Sequence, residues 1–200
     1  MASTRSDKPK IKQVSKLKTI FYTGKGDSGA SIISGRKIPK SDAVFELLGN
    51  LDELNSLMGL SRVYARNRRF ASIDRALLRL QEFTFIVQAE IAAIAFNYPK
   101  TKKISGLHTE YLEAEIKKID EKLPALAHFI ISGEGELAAW LDLARAVSRR
   151  VERSAVAVSK KVKLSADLLR LLNRLSSMLF AQARHANFLD GKKERRPEYR

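Results

Sequence analysis

The chain has 200 residues, 44% of them hydrophobic, with 37 Lys and Arg against 22 Asp and Glu for a formal charge of +15. That size and apolar content suit one globular domain with a substantial core. The absence of cysteine excludes disulfide scaffolds, thiolate metal sites and cysteine nucleophiles.

The three histidines, His108, His128 and His185, lack the i, i+4 spacing of a helical metal pair, so no protein-held metal is expected. No apolar run approaches the roughly 20 residues needed to cross a bilayer, and Gln88 and Glu90 interrupt the best candidate, Phe83 to Phe96. Without a signal-peptide hydrophobic region the expectation is a soluble, cytoplasmic protein with no membrane contact.

The positive charge concentrates at the ends. Residues 1–18 carry six Lys and Arg against Asp7 alone, and Lys192, Lys193, Arg195, Arg196 and Arg200 close the chain. Basic tails can grip phosphates weakly. No helix-turn-helix, finger or aromatic-basic strand motif accompanies them, so no specific nucleic-acid partner is expected. The division predicted is a basic disordered tail over 1–18, one helical domain over 19–190, and a basic C-terminal tail over 191–200.

Thr19 to Gly35, with glycines at 24, 26, 29 and 35, reads as a loop. Its Thr23 to Gly29 portion has the composition of a phosphate cradle, although the P-loop spacing is absent and a surface turn reads equally well. From Ser41, a candidate N-cap, Val44, Leu47, Leu48, Leu51, Leu54 and Met58 recur at helical spacing towards Arg66. Asp52 and Glu53 on this helix either face solvent or supply a carboxylate to a buried arginine. A second helix is predicted over 72–96, stopped by Asn97-Tyr98-Pro99, and a third over 109–123.

Phe129 precedes a glycine-containing loop, a place where a lone aromatic is commonly a core plug. The fourth helix, predicted over 136–162, is the most informative stretch. Arg145, Arg149 and Glu152 lie within roughly 60° of one another beside the apolar stripe of Leu137, Leu141, Ala144, Ser148, Val151 and Ala155. A half-buried arginine demands a carboxylate or phosphate, and its planar fork suits both. Glu152 either forms an i, i+3 pair with Arg149 or helps hold a phosphate-bound cation. The fifth helix, 165–189, sets Leu168, Leu172, Leu175, Leu179 and Ala183 inward and carries a second file of Asn173, Ser177, Phe180, Arg184 and Asn187. Five helices without alternating strand patterns define an all-α five-helix bundle with a glycine-rich N-terminal loop.

Six motifs in order resemble the PduO-type ATP:cob(I)alamin adenosyltransferases from about Phe21 to Leu189. They are Tyr22-Thr-x-x-Gly-Asp-x-Gly29, Lys40-x-Asp42, Gly49-x-x-Asp-Glu-Leu-Asn-Ser56, Phe129 before its glycine loop, Ala144-Arg-x-x-x-Arg-Arg-x-Glu-Arg153, and Asn173-Arg-Leu-Ser176 with Leu179-Phe180 and Ala183-Arg184.

The resemblance implies a homotrimer with sites between subunits, transferring the 5′-deoxyadenosyl group of ATP to reduced cobalt with release of triphosphate. It implies that Thr23, Gly26, Asp27, Gly29 and Lys40 belong to the ATP-binding N-terminal region. Arg145 and Arg149 are implied to contact the nucleotide and its phosphates, Glu152 and Asn173 to complete the nucleotide and Mg²⁺ site, Asp52 to pair with Arg145 across the subunit boundary, and Phe129 to stand below the corrin ring. A corrinoid reductase or an adenosylcobalamin-dependent enzyme follows as a possible protein partner.

The chain departs from the family pattern at Val44, where an arginine is usual, at Ile131-Ser-Gly-Glu134 in place of Leu-Pro-Gly-Gly, at Asp142 in place of histidine, and at Gly24-Lys25. These departures define the alternative expectation: a nucleotide-binding or corrinoid-escort protein with weakened chemistry on the same fold.

Overall fold

The computed structural model describes residues 21–22, 24–98 and 102–199. The basic segment 1–18, Thr23 and Pro99 lie outside the described residues.

Helix α1 spans Ala43–Ala65, α2 Ala71–Phe96, α3 Gly106–Asp120, α4 Glu136–Ser159 and α5 Ala166–Leu189. Side-chain oxygens satisfy the first open N–H groups of α1 and α5, and α3 has a capping box, whereas α2 and α4 start at Phe70 and Gly135 without a side-chain cap. The cap of α1 is Asp42 rather than Ser41: its Oδ1 accepts from the Val44 amide at 2.8 Å, and the 42 amide in turn bonds to the Pro39 carbonyl. Ser165 caps α5 through the Leu168 amide at 3.2 Å. In α3 the helix begins three residues earlier than its sequence period suggests, because Ser105 and His108 form a reciprocal capping box in which an imidazole replaces the usual Glu. Asn97, in the left-handed conformation, ends α2.

Each helix buries one stripe. Helices α1, α4 and α5 pack side by side, α2 lies against α1, and α3 lies against α5. Phe83 of α2 meets His108 and Tyr111 at the start of α3 edge-on, with ring centroids 4.9 and 5.7 Å apart, which joins the two outer helices. The predicted stripe of α4 is entirely buried, as is the leucine row of α5. Ile94 of α2 and Ile116 of α3, although at the helical spacing of their segments' apolar residues, are respectively exposed and half-buried.

Glu90, the charge that breaks the apolar run of α2, is 1% exposed. A buried carboxylate is tolerable only when its oxygens are bonded. Its Oε1 accepts from the Ser165 hydroxyl at 3.0 Å and its Oε2 from the Ile104 amide at 2.8 Å, pinning α2 to the starts of α5 and α3.

The glycine-rich segment is not wholly loop. Ala30–Ile33 (β1) and Arg36–Pro39 (β2) form an antiparallel hairpin with Ala30 opposite Pro39 and Ile33 opposite Arg36. Ser34 and Gly35 both have positive φ, 49° and 75°, the backbone a two-residue hairpin turn of the favoured twist requires. Ile33 and Ile38 rest on the bundle core, and the Arg36 guanidinium donates to the Ala95 carbonyl at 3.3 Å, so the hairpin is seated where α2 ends.

Candidate functional site

Helix α4 delivers Arg145 and Arg149 one turn apart to a cleft of about 340 Å³ whose other walls are Leu126, Phe129 and Ile130 from the α3–α4 loop and Ser176, Ser177 and Phe180 from α5. Arg145 is half-buried. Its guanidinium stands 6.0 Å from the Phe180 ring centroid, and its Nε lies 3.4 Å from Asp142 Oδ1, a carboxylate only 12% exposed. The Asp142 departure therefore supplies this arginine with a carboxylate from its own helix. Arg149 is exposed and forms no ion pair with any described residue. An unpaired guanidinium beside a half-buried one, over apolar walls, is a site arranged for a multiply charged anion.

Of the two readings of Glu152, the i, i+3 pair with Arg149 does not form. Glu152 instead accepts from Asn173 Nδ2 at 2.7 Å, bridging α4 and α5 one turn beyond Arg149. Asn173 thus fixes a carboxylate that stays clear of the arginine. Phe129 is 80% exposed, so it is not a core plug; its ring is open to water beside two arginines and free to meet a ligand.

Asp52 sits exposed on α1 and makes no ion pair among the described residues. Its neighbour Glu53 pairs with Arg150, whose Nε also donates to Asn50 Oδ1 at 3.0 Å. Arg150 was not singled out by helix periodicity, since its partners lie on α1 and emerge only when α1 and α4 pack.

The N-terminal residues gather elsewhere. The Gly29 amide bonds to the Gly26 carbonyl and the Lys40 amide to the Gly29 carbonyl, closing the loop onto the hairpin. Lys40 folds across Gly26, where an added Cβ would come within 3.0 Å of its Nζ; Gly29 needs φ +74°. Gly26, Asp27, Gly29 and Lys40 therefore form one cluster, with Thr23 outside the described residues. None of this cluster lines the arginine cleft. The structure unites Arg145, Arg149 and Phe129, places Glu152 and Asn173 beside them, and leaves Asp52 and the loop residues apart within a single chain.

Loop residues Leu126 and Ile130 and the chain's end were not legible as parts of this region. Residues 191–199 turn back along the α3–α4 loop: the Ile131 amide donates to the Arg195 carbonyl at 2.8 Å, and Arg195 Nε pairs with Glu134 at 3.1 Å. The acid at position 134 is thereby neutralised from the tail.

A five-helix bundle with two neighbouring arginines over an apolar, aromatic-walled cleft defines the class: a helical protein whose cleft is suited to an anionic ligand. Comparison with known proteins makes the class specific. Residues 21–186 match the family described as cobalamin adenosyltransferase, and the chain belongs to that family. It is 33% identical to a corrinoid adenosyltransferase of Bacillus subtilis over 86% of this chain and 88% of that protein. It is 33% identical to the human corrinoid adenosyltransferase MMAB over 88% of this chain and 72% of that protein. A variant PduO-type ATP:corrinoid adenosyltransferase from Lactobacillus reuteri, solved with cobalamin and ATP, superposes with a TM-score of 0.81 at 30% identity, covering 89% of this chain and 99% of that one.

Proposed function

We propose that this protein transfers the 5′-deoxyadenosyl group of ATP to the reduced cobalt of cob(I)alamin or a related corrinoid. The observation that carries this reading is the cleft that sets Arg145 and Arg149 against Phe129. Phosphate-binding and apolar-ring-binding surfaces meet there within one cavity.

Reduced cobalt is itself a strong nucleophile, so no protein base is demanded. A cobalt–carbon bond forms at C5′ as the C5′–oxygen bond breaks, and triphosphate leaves with the electron pair. The chain's task is alignment and stabilisation of that leaving group. Arg149, with no partner of its own, meets the triphosphate. Arg145, oriented by Asp142 and Phe180, binds the nucleotide beside it. Phe129 presents an apolar face to the corrinoid's lower side, where a polar group would add a ligand to cobalt.

Among the described residues no group of three or more His, Cys, Asp or Glu is placed to hold a metal ion. Mg²⁺, an ion that keeps most of its waters and takes one or two carboxylates, would be carried in on the triphosphate. Glu152, held by Asn173, fits that donor set.

The reading includes a homotrimer. Asp52, unpaired in one chain, meets a neighbour's Arg145, and a neighbour's Thr23, Gly26, Asp27, Gly29 and Lys40 close over the nucleotide. No helix among the described residues is long and apolar enough to cross a membrane. We place the protein in the cytoplasm, a reducing compartment that a cysteine-free chain tolerates, served by a corrinoid reductase or an adenosylcobalamin-dependent enzyme rather than by nucleic acid.

The purified protein mixed with ATP, Mg²⁺ and chemically reduced cobalamin should produce the light-sensitive spectrum of an alkyl-cobalt compound. ATP binding by calorimetry without that product would instead assign the weakened, escort-type role.

A further inference from the structure

The chain's last residues bear on the Phe129 loop through three separate attachments. Arg184 of α5 is buried, its side chain 8% exposed, and a guanidinium so placed must be fully partnered. Its Nε donates to both carboxylate oxygens of Glu194 at 3.2 Å and a terminal nitrogen donates to the Pro124 carbonyl at 3.0 Å. One buried cation thus ties the tail and the loop together. Six residues beyond Pro124's neighbour Ala125, the Ile131 amide bonds to the Arg195 carbonyl, and Glu134 pairs with the Arg195 side chain. Downstream, Arg196 to Tyr199 face Leu126 to Phe129 across a cavity of about 670 Å³. Leu126 and Phe129 line this cavity and the arginine cleft alike. The exposed ring of Phe129 stands between the two, on a loop that no regular helix or strand restrains.

We propose that Glu194, Arg195 and Glu134 are positioning residues: the tail straps the α3–α4 loop in place, setting the stance of Phe129 and so the handling of the corrinoid, while leaving the nucleotide half of the site untouched. The inference rests on the adenosyltransferase reading above. The geometry favours a corrinoid-selective effect because every strap contact falls on the loop or on Arg184, and none falls on Arg145, Arg149, Glu152 or Asn173. It also gives the unusual acid at 134 a role, since Glu134 is mostly buried against Arg195 rather than displayed to the cleft.

The test uses the full chain with Glu194→Ala, Glu134→Arg, Arg195→Glu and the Glu134→Arg/Arg195→Glu double variant. Apparent KM is measured for ATP and for reduced cobalamin, and amide hydrogen exchange is followed at Ile131. The expected result for Glu194→Ala is a rise of about tenfold in corrinoid KM, about the loss attending one buried charge-assisted contact, with ATP KM within about twofold. Each single charge change should raise corrinoid KM by about threefold and speed exchange at Ile131, and the double variant should restore both. Should Glu194→Ala fail to fold, the charge-exchange set decides alone, because Arg195 is largely exposed and the double variant keeps an opposite-charge pair. An active wild type whose variants keep slow Ile131 exchange, or shift both KM values together, or gain nothing from the double exchange, overturns the strap. A wild type that forms no alkyl-cobalt product refutes the transferase reading instead, and the corrinoid-selective role falls with it.

Discussion

Replacing Arg149 by alanine separates a functional arginine from a structural one. The side chain is exposed and has no ion-pair partner among the described residues, so its loss costs the fold little, within about 0.5 kcal/mol or one to two degrees of Tm for a chain of this size. Against a developing triphosphate charge, loss of one charge-assisted hydrogen-bonding group forfeits about 1.5–3 kcal/mol. That corresponds to about 10- to 150-fold in kcat/KM. Arg145→Ala should lose comparable activity and also stability, because it strips Asp142, 12% exposed, of its counter-charge. About 1 kcal/mol, or 2–4 °C, is expected there. Stopped-flow formation of the alkyl-cobalt chromophore, paired with thermal melts, reads both quantities. Wild-type turnover in Arg149→Ala, or equal destabilisation of the two variants, would refute the assignment of the cleft to phosphate.

Gly135→Ala, at the N-cap of α4, brings a methyl within 3.0 Å of Asn187 Oδ1, a buried atom on the residue whose carbonyl anchors the Lys192 amide. Overpacking there should cost about 1–3 kcal/mol by chemical denaturation and accelerate exchange at the Lys192 amide; an unchanged midpoint would show that the contact relaxes freely. His185 is buried, and that desolvation, reinforced by the nearby Lys122 charge, holds its pKa below the ordinary 6.5. Between the lowered folded value and 6.5 the unfolded chain binds the extra proton, so this contribution to stability is complete above pH 6.5 and is lost as pH falls through the folded value. Melting temperature against pH should therefore drop less steeply below 6.5 in His185→Gln than in wild type, and parallel curves would contradict it.

The helical frame is legible because its signals are local. The stripe of α4, the leucine row of α5 and the cap at Ser165 need only neighbours within one or two turns. The hairpin is not, since Ala30-Ser-Ile-Ile33 lacks alternation and is held by a turn at Ser34-Gly35 and by the bundle beneath it. The arginines were readable from their place beside the stripe, whereas the pairing of Asn173 with Glu152, the seat of Arg150 against Asn50 and Glu53, and the docking of the tail join residues 10 to 100 positions apart. Such contacts exist only once the helices have packed. The family departures illustrate the same point: Glu134 and Asp142 read as disturbances in the sequence, and each finds an arginine in the structure.

The separation of the glycine loop from the arginine cleft has a consequence for how a complete site is built. Val158, near the end of α4, lines the cavity beneath the hairpin with Arg36 and Ile38, and Arg145 lies thirteen residues back along the same helix, about 20 Å away. A rigid helix does not bring those two regions together, so on the proposed reading a single chain would offer a nucleotide only one of the two elements. In the proposed homotrimer, repetition of one head-to-tail contact would close a ring in which each loop faces the next subunit's cleft. Under that arrangement Lys40→Ala and Arg149→Ala chains, each impaired alone, regain function when co-assembled. Random mixing in a ring gives each site an even chance of an intact loop and an independent even chance of an intact cleft, so about a quarter of wild-type activity returns. Co-refolded equimolar mixtures measure this directly. Activity no greater than the mean of the two parents would place loop and cleft in the same chain and would require the N-terminal segment to travel the length of α4.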